Sequence, residues 1–123
     1  MATDLTIGLV DRPGSLAKAS DVLGRAGVNI EGAAGYVCEG QGVFHILVAD
    51  AERARRALID SGFEIQAERP IVRLTVENEP GEAARVLRRL ADAGVNIDLL
   101  YTTLDGELVL GADDVGALRA ALG

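Results

Sequence analysis

The sequence predicts an α+β chain of two tandem ferredoxin-like βαββαβ modules. Each has an antiparallel sheet with helices on one face, and the last strand of the second module is missing. Three observations predict this. First, a turn-and-helix pattern occurs twice: Pro13, Gly14, Gly27, Val28, Asn29 and Ile30 recur, at one constant offset and without a gap, as Pro80, Gly81, Gly94, Val95, Asn96 and Ile97. A fixed internal period marks duplicated supersecondary units. Second, the hydrophobic period alternates between two and three-to-four along each copy, as strands and helices require. Third, 123 residues make one ordinary domain or two very small ones. The repeat favours two, with modules at 1–69 and 70–123. Modules this small bury marginal cores, so they are expected to pack together or to share partners.

Taken in order, Leu5, Ile7 and Leu9 alternate with Thr6, Gly8 and Val10, which predicts a strand. Pro13-Gly14 breaks it. Ser15 to Ala26 reads as a helix with Leu16, Ala19, Leu23 and Ala26 on one face, and Gly27 stops it. Val28 and Ile30 start a second strand, with Asn29 and Glu31 on the opposite face. Glu39-Gly40-Gln41-Gly42 is a turn, and Phe44, Ile46 and Val48 form a third strand. Asp50 is a candidate N-cap for a helix carrying Ala51, Ala54 and Leu58, which ends near Ser61-Gly62. Phe63, Ile65 and Ala67 read as a fourth strand.

The second copy repeats these faces as Val72/Leu74/Val76, Ala83/Val86/Leu90/Ala93 and Val95/Ile97/Leu99. The offset then shortens, with Gly42 matching Gly106 and Asp50 matching Asp114. The second hairpin is therefore shorter, closed by Asp105-Gly106. Val115, Leu118 and Leu122 line a last helix, and no fourth strand follows. Strands one and three must be neighbours for both helices to cover one face. The other face carries Thr6, Asn29, Glu31, His45, Arg73, Thr75, Asn96 and Asp98, which predicts a wet surface. Val10, Leu47, Leu100 and Val109 also point that way, so part of this face is expected to be covered.

Composition narrows the function. Hydrophobic residues make up 49% and aromatics only 3%, so the cores are aliphatic. A net charge of −7, with Lys18 the one lysine and no basic patch, argues against direct nucleic-acid binding, which rests on phosphate neutralisation. Cys38 is the only cysteine, so neither an intrachain disulfide nor a Cys-based metal cluster is expected. No apolar run approaches the ~20 residues of a membrane helix, and the N-terminus lacks a signal-peptide pattern. The expectation is a cytoplasmic protein with no membrane contact, no metal and no cofactor.

The loop after the first strand suits a small zwitterion. Pro13 fixes a turn, and Gly14 lets a ligand approach the backbone. The helix that follows presents unpaired N–H groups and its positive dipole end to a carboxylate. Asn29 and Asn96 each offer a donor and an acceptor. Pro-Gly turns and strand-start asparagines also serve structure alone; their recurrence as a pair at the common offset favours the ligand reading.

Asp11-Arg12-Pro13-Gly14-Ser15-Leu16, followed by Gly27-Val28-Asn29-Ile30, resembles the ACT domain, a small regulatory module that binds amino acids. The resemblance covers nearly the whole chain, as two tandem modules. It implies that modules pair through their second strands into one continuous sheet, with ligands held where two modules meet. It further implies one site from Asp11, Arg12, Pro13, Gly14, Ser15 and Leu16 with Val95, Asn96 and Ile97. The matching site takes Asn78, Glu79, Pro80, Gly81, Glu82 and Ala83 with Val28, Asn29 and Ile30. The second copy departs from the first at Glu79 for Arg12 and Ala83 for Leu16. The implied function is a non-catalytic, amino-acid-binding sensor of allosteric type. The alternative is a protein-interaction subunit of a biosynthetic enzyme or a transcriptional regulator. The strand at 71–77, left at a sheet edge, predicts a homodimer.

The remaining residues take plainer readings. His45 is alone of its type and reads as a surface or core residue, Cys38 as a small apolar filler. Tyr36 and Tyr101 flank the hairpins, with packing as the default. Enzyme readings are weak: no phosphate loop of the acylphosphatase kind is present, one cysteine cannot make the Cys-x-x-Cys of a metallochaperone, and Phe44 lies in the core register, not on an RNA-stacking face.

Overall fold

The structure is a computed structural model that describes residues 2–123. Its elements run β1 (Thr3–Val10), α1 (Ser15–Arg25), β2 (Gly32–Cys38), β3 (Gln41–Val48), α2 (Ala51–Asp60), β4 (Glu64–Pro70), β5 (Val72–Thr75), α3 (Glu82–Asp92), β6 (Ile97–Thr102), β7 (Glu107–Ala112) and α4 (Val115–Leu122). The chain divides into two compact units, one ending at Arg69 and the other spanning Pro70–Gly123. The first holds a four-stranded sheet in the order β2-β3-β1-β4, the second a three-stranded sheet in the order β5-β7-β6. The second unit thus lacks the partner that β4 gives β1. Within these sheets β2 and β6 stand at one end, next to β3 and β7.

In the first unit β1 and β3 are antiparallel neighbours, with Leu5 opposite Ile46 and Ile7 opposite Phe44. These side chains share one face, where Ala19 and Leu23 of α1 and Ala54 and Leu58 of α2 close over them. In the second unit Leu110 and Ala112 of β7 meet Val86 and Leu90 of α3 and Leu118 of α4 in the same way. Caps begin two of the helices. The Asp50 carboxylate accepts from the Arg53 N–H at 3.0 Å, and that of Asp114 from the Ala117 N–H at 2.9 Å. Glycines end three of the helices, with Gly62 after α2 at φ +87° and the Phe63 N–H on the Leu58 carbonyl at 2.9 Å. Gly27 and Gly94 take φ of +75° and +76°. The next N–H then reaches back into the helix, from Val28 to the Leu23 carbonyl at 2.9 Å and from Val95 to that of Leu90 at 3.0 Å. This is the Schellman closure.

Several expectations are corrected. The second strand begins at Gly32, so Val28 to Ile30 lie before it, although Val28 is buried and Ile30 packs on the core. Leu16 and Ala83, expected on buried helix faces, are exposed. The register of β6 against β7 shifts between Ile97 and Leu99. One extra residue there reverses the side-chain alternation. Leu100 therefore sits opposite the core residue Leu110, on the helix side, and not on the far face. The second hairpin turns through 104–106. The Gly106 N–H donates to the Thr103 carbonyl at 3.1 Å and the Thr103 N–H to the Glu107 carbonyl at 2.9 Å, with Gly106 at φ +90°. The partial covering expected of the helix-free face is present: Leu47 and Val109 are fully buried there, and so is Asp4. Cys38 is exposed and fills no core space.

Two outcomes follow from this chain path. Gly27→Ala places a Cβ with only the Arg53 guanidinium near, at 3.5 Å, so its cost is conformational and not steric. Urea denaturation should show a loss of about 1–2 kcal/mol, the cost of a left-handed alanine, and an unchanged midpoint would refute the left-handed closure. In the second hairpin the Thr103 hydroxyl donates to the Asp105 carboxylate and holds its pKa below the ordinary value of 3.8, helped by Arg73. A depressed carboxyl stabilises the fold above its unfolded pKa and loses that effect as pH falls through the folded one. NMR titration should therefore find Asp105 ionising at lower pH than a free aspartate and shifting upward in Thr103→Val.

Candidate functional site

The loop between β1 and α1 has the same geometry as its counterpart between β5 and α3. Gly14 and Gly81 occupy the helix N-cap with φ of +92° and +89°. The Arg12 N–H donates to the Val10 carbonyl at 2.9 Å and the Glu79 N–H to that of Glu77 at 2.9 Å. The Ser15 and Glu82 N–H groups reach the Arg12 and Glu79 carbonyls at 3.3 Å in each case. A glycine N-cap has no side chain to offer, so neither α1 nor α3 carries the side-chain cap that Asp50 and Asp114 give α2 and α4. No side chain claims the first turn of α1 or α3, so the N–H groups just past Ser15 and Glu82 are open to another acceptor.

The two loops differ in charge. The first turn of α1 holds no acidic residue, and Asp11 and Arg12 stand exposed beside it. The first turn of α3 holds Glu82, and Glu79 replaces the arginine. Negative side chains already occupy the positive end of the α3 dipole, and a ligand carboxylate there meets repulsion that α1 does not present.

The strand-start residues divide by role. The side chains of Val28 and Ile30 belong to the first core, those of Val95 and Ile97 to the second. Only Asn29 and Asn96 face outward, and Asn96 lines a shallow cleft with Asp113 and Asp114 in its own unit. The first loop borders two cavities within the first unit. One, of about 230 Å³, lies between the loop and the β2–β3 hairpin and is bounded by Leu16, Gly35, Val37 and Gly42. The other, of about 480 Å³, lies on the far side of the loop, with Lys18, Gln41 and Glu64 in its wall. Gly35, Val37 and Gly42 were not singled out from sequence. A glycine inside a strand is the available signal, since it marks a bulge or a close approach.

A polar cluster on the helix-free face was also not foreseen. His45 is buried and its Nδ1 lies 3.0 Å from the Asp4 carboxylate. The Thr6 hydroxyl donates to the same carboxylate at 3.2 Å. With Nδ1–H given to Asp4, a neutral His45 accepts at Nε2, 3.3 Å from the Tyr36 hydroxyl, and the two rings stack at 5.9 Å. Tyr36 therefore takes the packing role expected of it. Among the described residues no group of His, Cys, Asp or Glu is placed to hold a metal ion, and no helix is long and apolar enough to cross a membrane. Asp4→Ala should cost about 1–3 kcal/mol in urea denaturation, because it leaves buried donors on His45 and Thr6 without their acceptor; a neutral result would show that these groups rehydrate.

A family model described as an ACT domain pair matches residues 1–119. No curated protein matches the sequence. Among solved structures, a Bacteroides thetaiotaomicron protein superposes with a TM-score of 0.88 at 24% identity, over 98% of this chain and 85% of that one. The ligand-free regulatory subunit of aspartate kinase from Thermus thermophilus superposes with a TM-score of 0.71 at 24% identity, over 98% and 89%. The Thermus flavus regulatory subunit gives 0.70 at 23% identity, over the same shares.

Proposed function

The chain belongs to the ACT domain pair family, and we propose that it is a regulatory protein that senses a free amino acid and performs no catalysis of its own. The observation that carries this reading is the helix start repeated in both units, with glycine at the N-cap, no side-chain cap and matching turn hydrogen bonds. Such an end is made to receive an anion from outside the fold. In the first unit the ligand carboxylate lies on the first-turn N–H groups of α1, within reach of Arg12, and Asp11 takes the ammonium. Ser15 supplies a neutral polar partner in this reading, and Pro13 and Gly14 hold the loop shape. The matching loop, Asn78 to Ala83, binds more weakly because Glu79 and Glu82 oppose the carboxylate.

The protein works in this reading as a cytoplasmic homodimer. The edge strand β5 offers itself for pairing, although at four residues it is a short template. Two similar structures are regulatory subunits of aspartate kinase, and most of their length is covered. This supports a second reading, in which the chain reports to a partner enzyme or regulator through its surface.

A thermal-shift screen of the common amino acids separates the readings. A ligand at 100 times its dissociation constant should add about 2.7 kcal/mol of stability, whereas no shift with any amino acid favours the interaction-only reading. For a ligand found in this way, Arg12→Ala should weaken binding about twofold to fivefold by titration calorimetry, the range of an exposed ion pair. Glu79→Ala should leave the first site unchanged and strengthen any second one.

A further inference from the structure

We infer that the smaller cavity in the first unit selects an α-amino acid with an aliphatic side chain of valine-to-leucine size. The inference rests on the amino-acid-sensing reading and adds the class of ligand. The cavity measures about 230 Å³, and every residue lining it lies between Leu9 and Val43 of the first unit. Apolar cavities of ~150 Å³ already admit a benzene-sized molecule, whereas drug-sized ligands need ~300 Å³ or more. One amino-acid side chain with its Cα fits this space, and a peptide or nucleotide does not.

Its lining is mostly apolar, and Asp11 and Arg12 are the charged residues in it. Leu16 and Val37, 52% and 55% exposed, are held at the surface with no core to fill. Between them Gly35 leaves a floor without a side chain. A Cβ there would meet Phe44, Leu16 and the Val43 carbonyl at 3.8–3.9 Å, ordinary contact distances, and its φ is not in the left-handed region. Gly35 is thus not demanded by backbone strain or by crowding, and its visible effect is an open floor. Asp11 and Arg12 are exposed in the same lining, one anion and one cation, complementary to the ammonium and carboxylate of a zwitterion. A helix end alone would take any anion; the apolar chamber below it restricts the class.

The second unit shows what the absence of selection looks like. Gly35 is opposite Phe44 in its hairpin, and the matching pair in the second is Thr102 opposite Leu108. A threonine thus stands where the first unit has an open floor, Ala83 replaces Leu16, and Glu79 replaces Arg12. All three changes act against an aliphatic zwitterion, so the first unit is the loaded one.

Titration calorimetry of the full chain with leucine, isoleucine, valine, alanine, glycine, serine, aspartate and lysine tests this. The expected order places leucine, isoleucine and valine first, with affinity falling about fourfold for each methylene removed, the value of a buried CH₂. Gly35→Val should abolish that binding. Leu16→Ser, at an exposed position that cannot endanger the core, should weaken it, while Ile59→Ser on the exposed face of α2 should not. Tight binding of glycine, serine, aspartate or lysine in preference overturns the aliphatic assignment and leaves the sensing reading standing. Binding of no amino acid overturns both. A dimer that dissociates in Leu16→Ser, without amino-acid binding, shows the surface to be occupied by a second copy and also overturns the assignment.

Discussion

The structure depends on a constraint of width. Each unit lays two short helices across one small sheet, so every helix must begin and end within the span of a few strands. Glycine in the left-handed region turns the chain at both ends of α1 and α3, at Gly14 and Gly27 and again at Gly81 and Gly94. An ordinary residue there costs about 1–2 kcal/mol, a large share of what a module this small can hold. The same glycines leave the helix starts without a side-chain acceptor. A folding requirement thereby creates a helix start open to an outside acceptor, and a duplication that copies the fold also copies the candidate site.

Much of this was legible in the sequence because it is local. The period-two run Leu5/Ile7/Leu9 and the face carrying Ala19 and Leu23 appear where the pattern places them, and Asp50 and Asp114 cap as their positions suggest. What was not legible depends on pairing. The register shift at Ile97–Leu99 moves Leu100 across the sheet, and no single strand announces that its partner will be one residue out of step. Asp4, Thr6 and His45 come together only because β1 and β3 are neighbours, with Thr6 opposite His45. A lone histidine carries no such information. Asp11 to Leu16 were visible as a loop, whereas Gly35 and Val37 become its partners only once the hairpin folds back beside α1.

The two units have diverged where a ligand would test them and not where the fold would. The turn hydrogen bonds pair the same positions at nearly the same lengths in both units, and the paired glycine φ angles almost coincide. The side chains around that common frame have changed sign or size: arginine against glutamate at the loop, leucine against alanine at the helix start, glycine against threonine in the hairpin. The first unit thus carries aspartate and arginine at the loop and glycine in the hairpin, where the second carries asparagine, glutamate and threonine.

Tyr36 links the strand that lines the cavity to the polar cluster of His45 and Asp4. The strand β2 that carries Gly35 and Val37 is an edge strand, hydrogen-bonded on one side only, to β3. Edge strands are the elements of a sheet most ready to fray. Tyr36, between the two floor residues, reaches the opposite face, where its ring stacks on His45 and its hydroxyl meets Nε2. His45 is held in turn by Asp4, which is fully buried. Tyr36 also lines the cavity, so the hydrogen-bonded pair with His45 fixes the strand at the candidate site itself. A ligand filling the chamber would add contacts from Leu16 to Val37 across the same strand, tying α1 to the hairpin edge. An edge strand whose order depends on both faces is a physical means by which occupancy of a small site alters a surface that a partner reads.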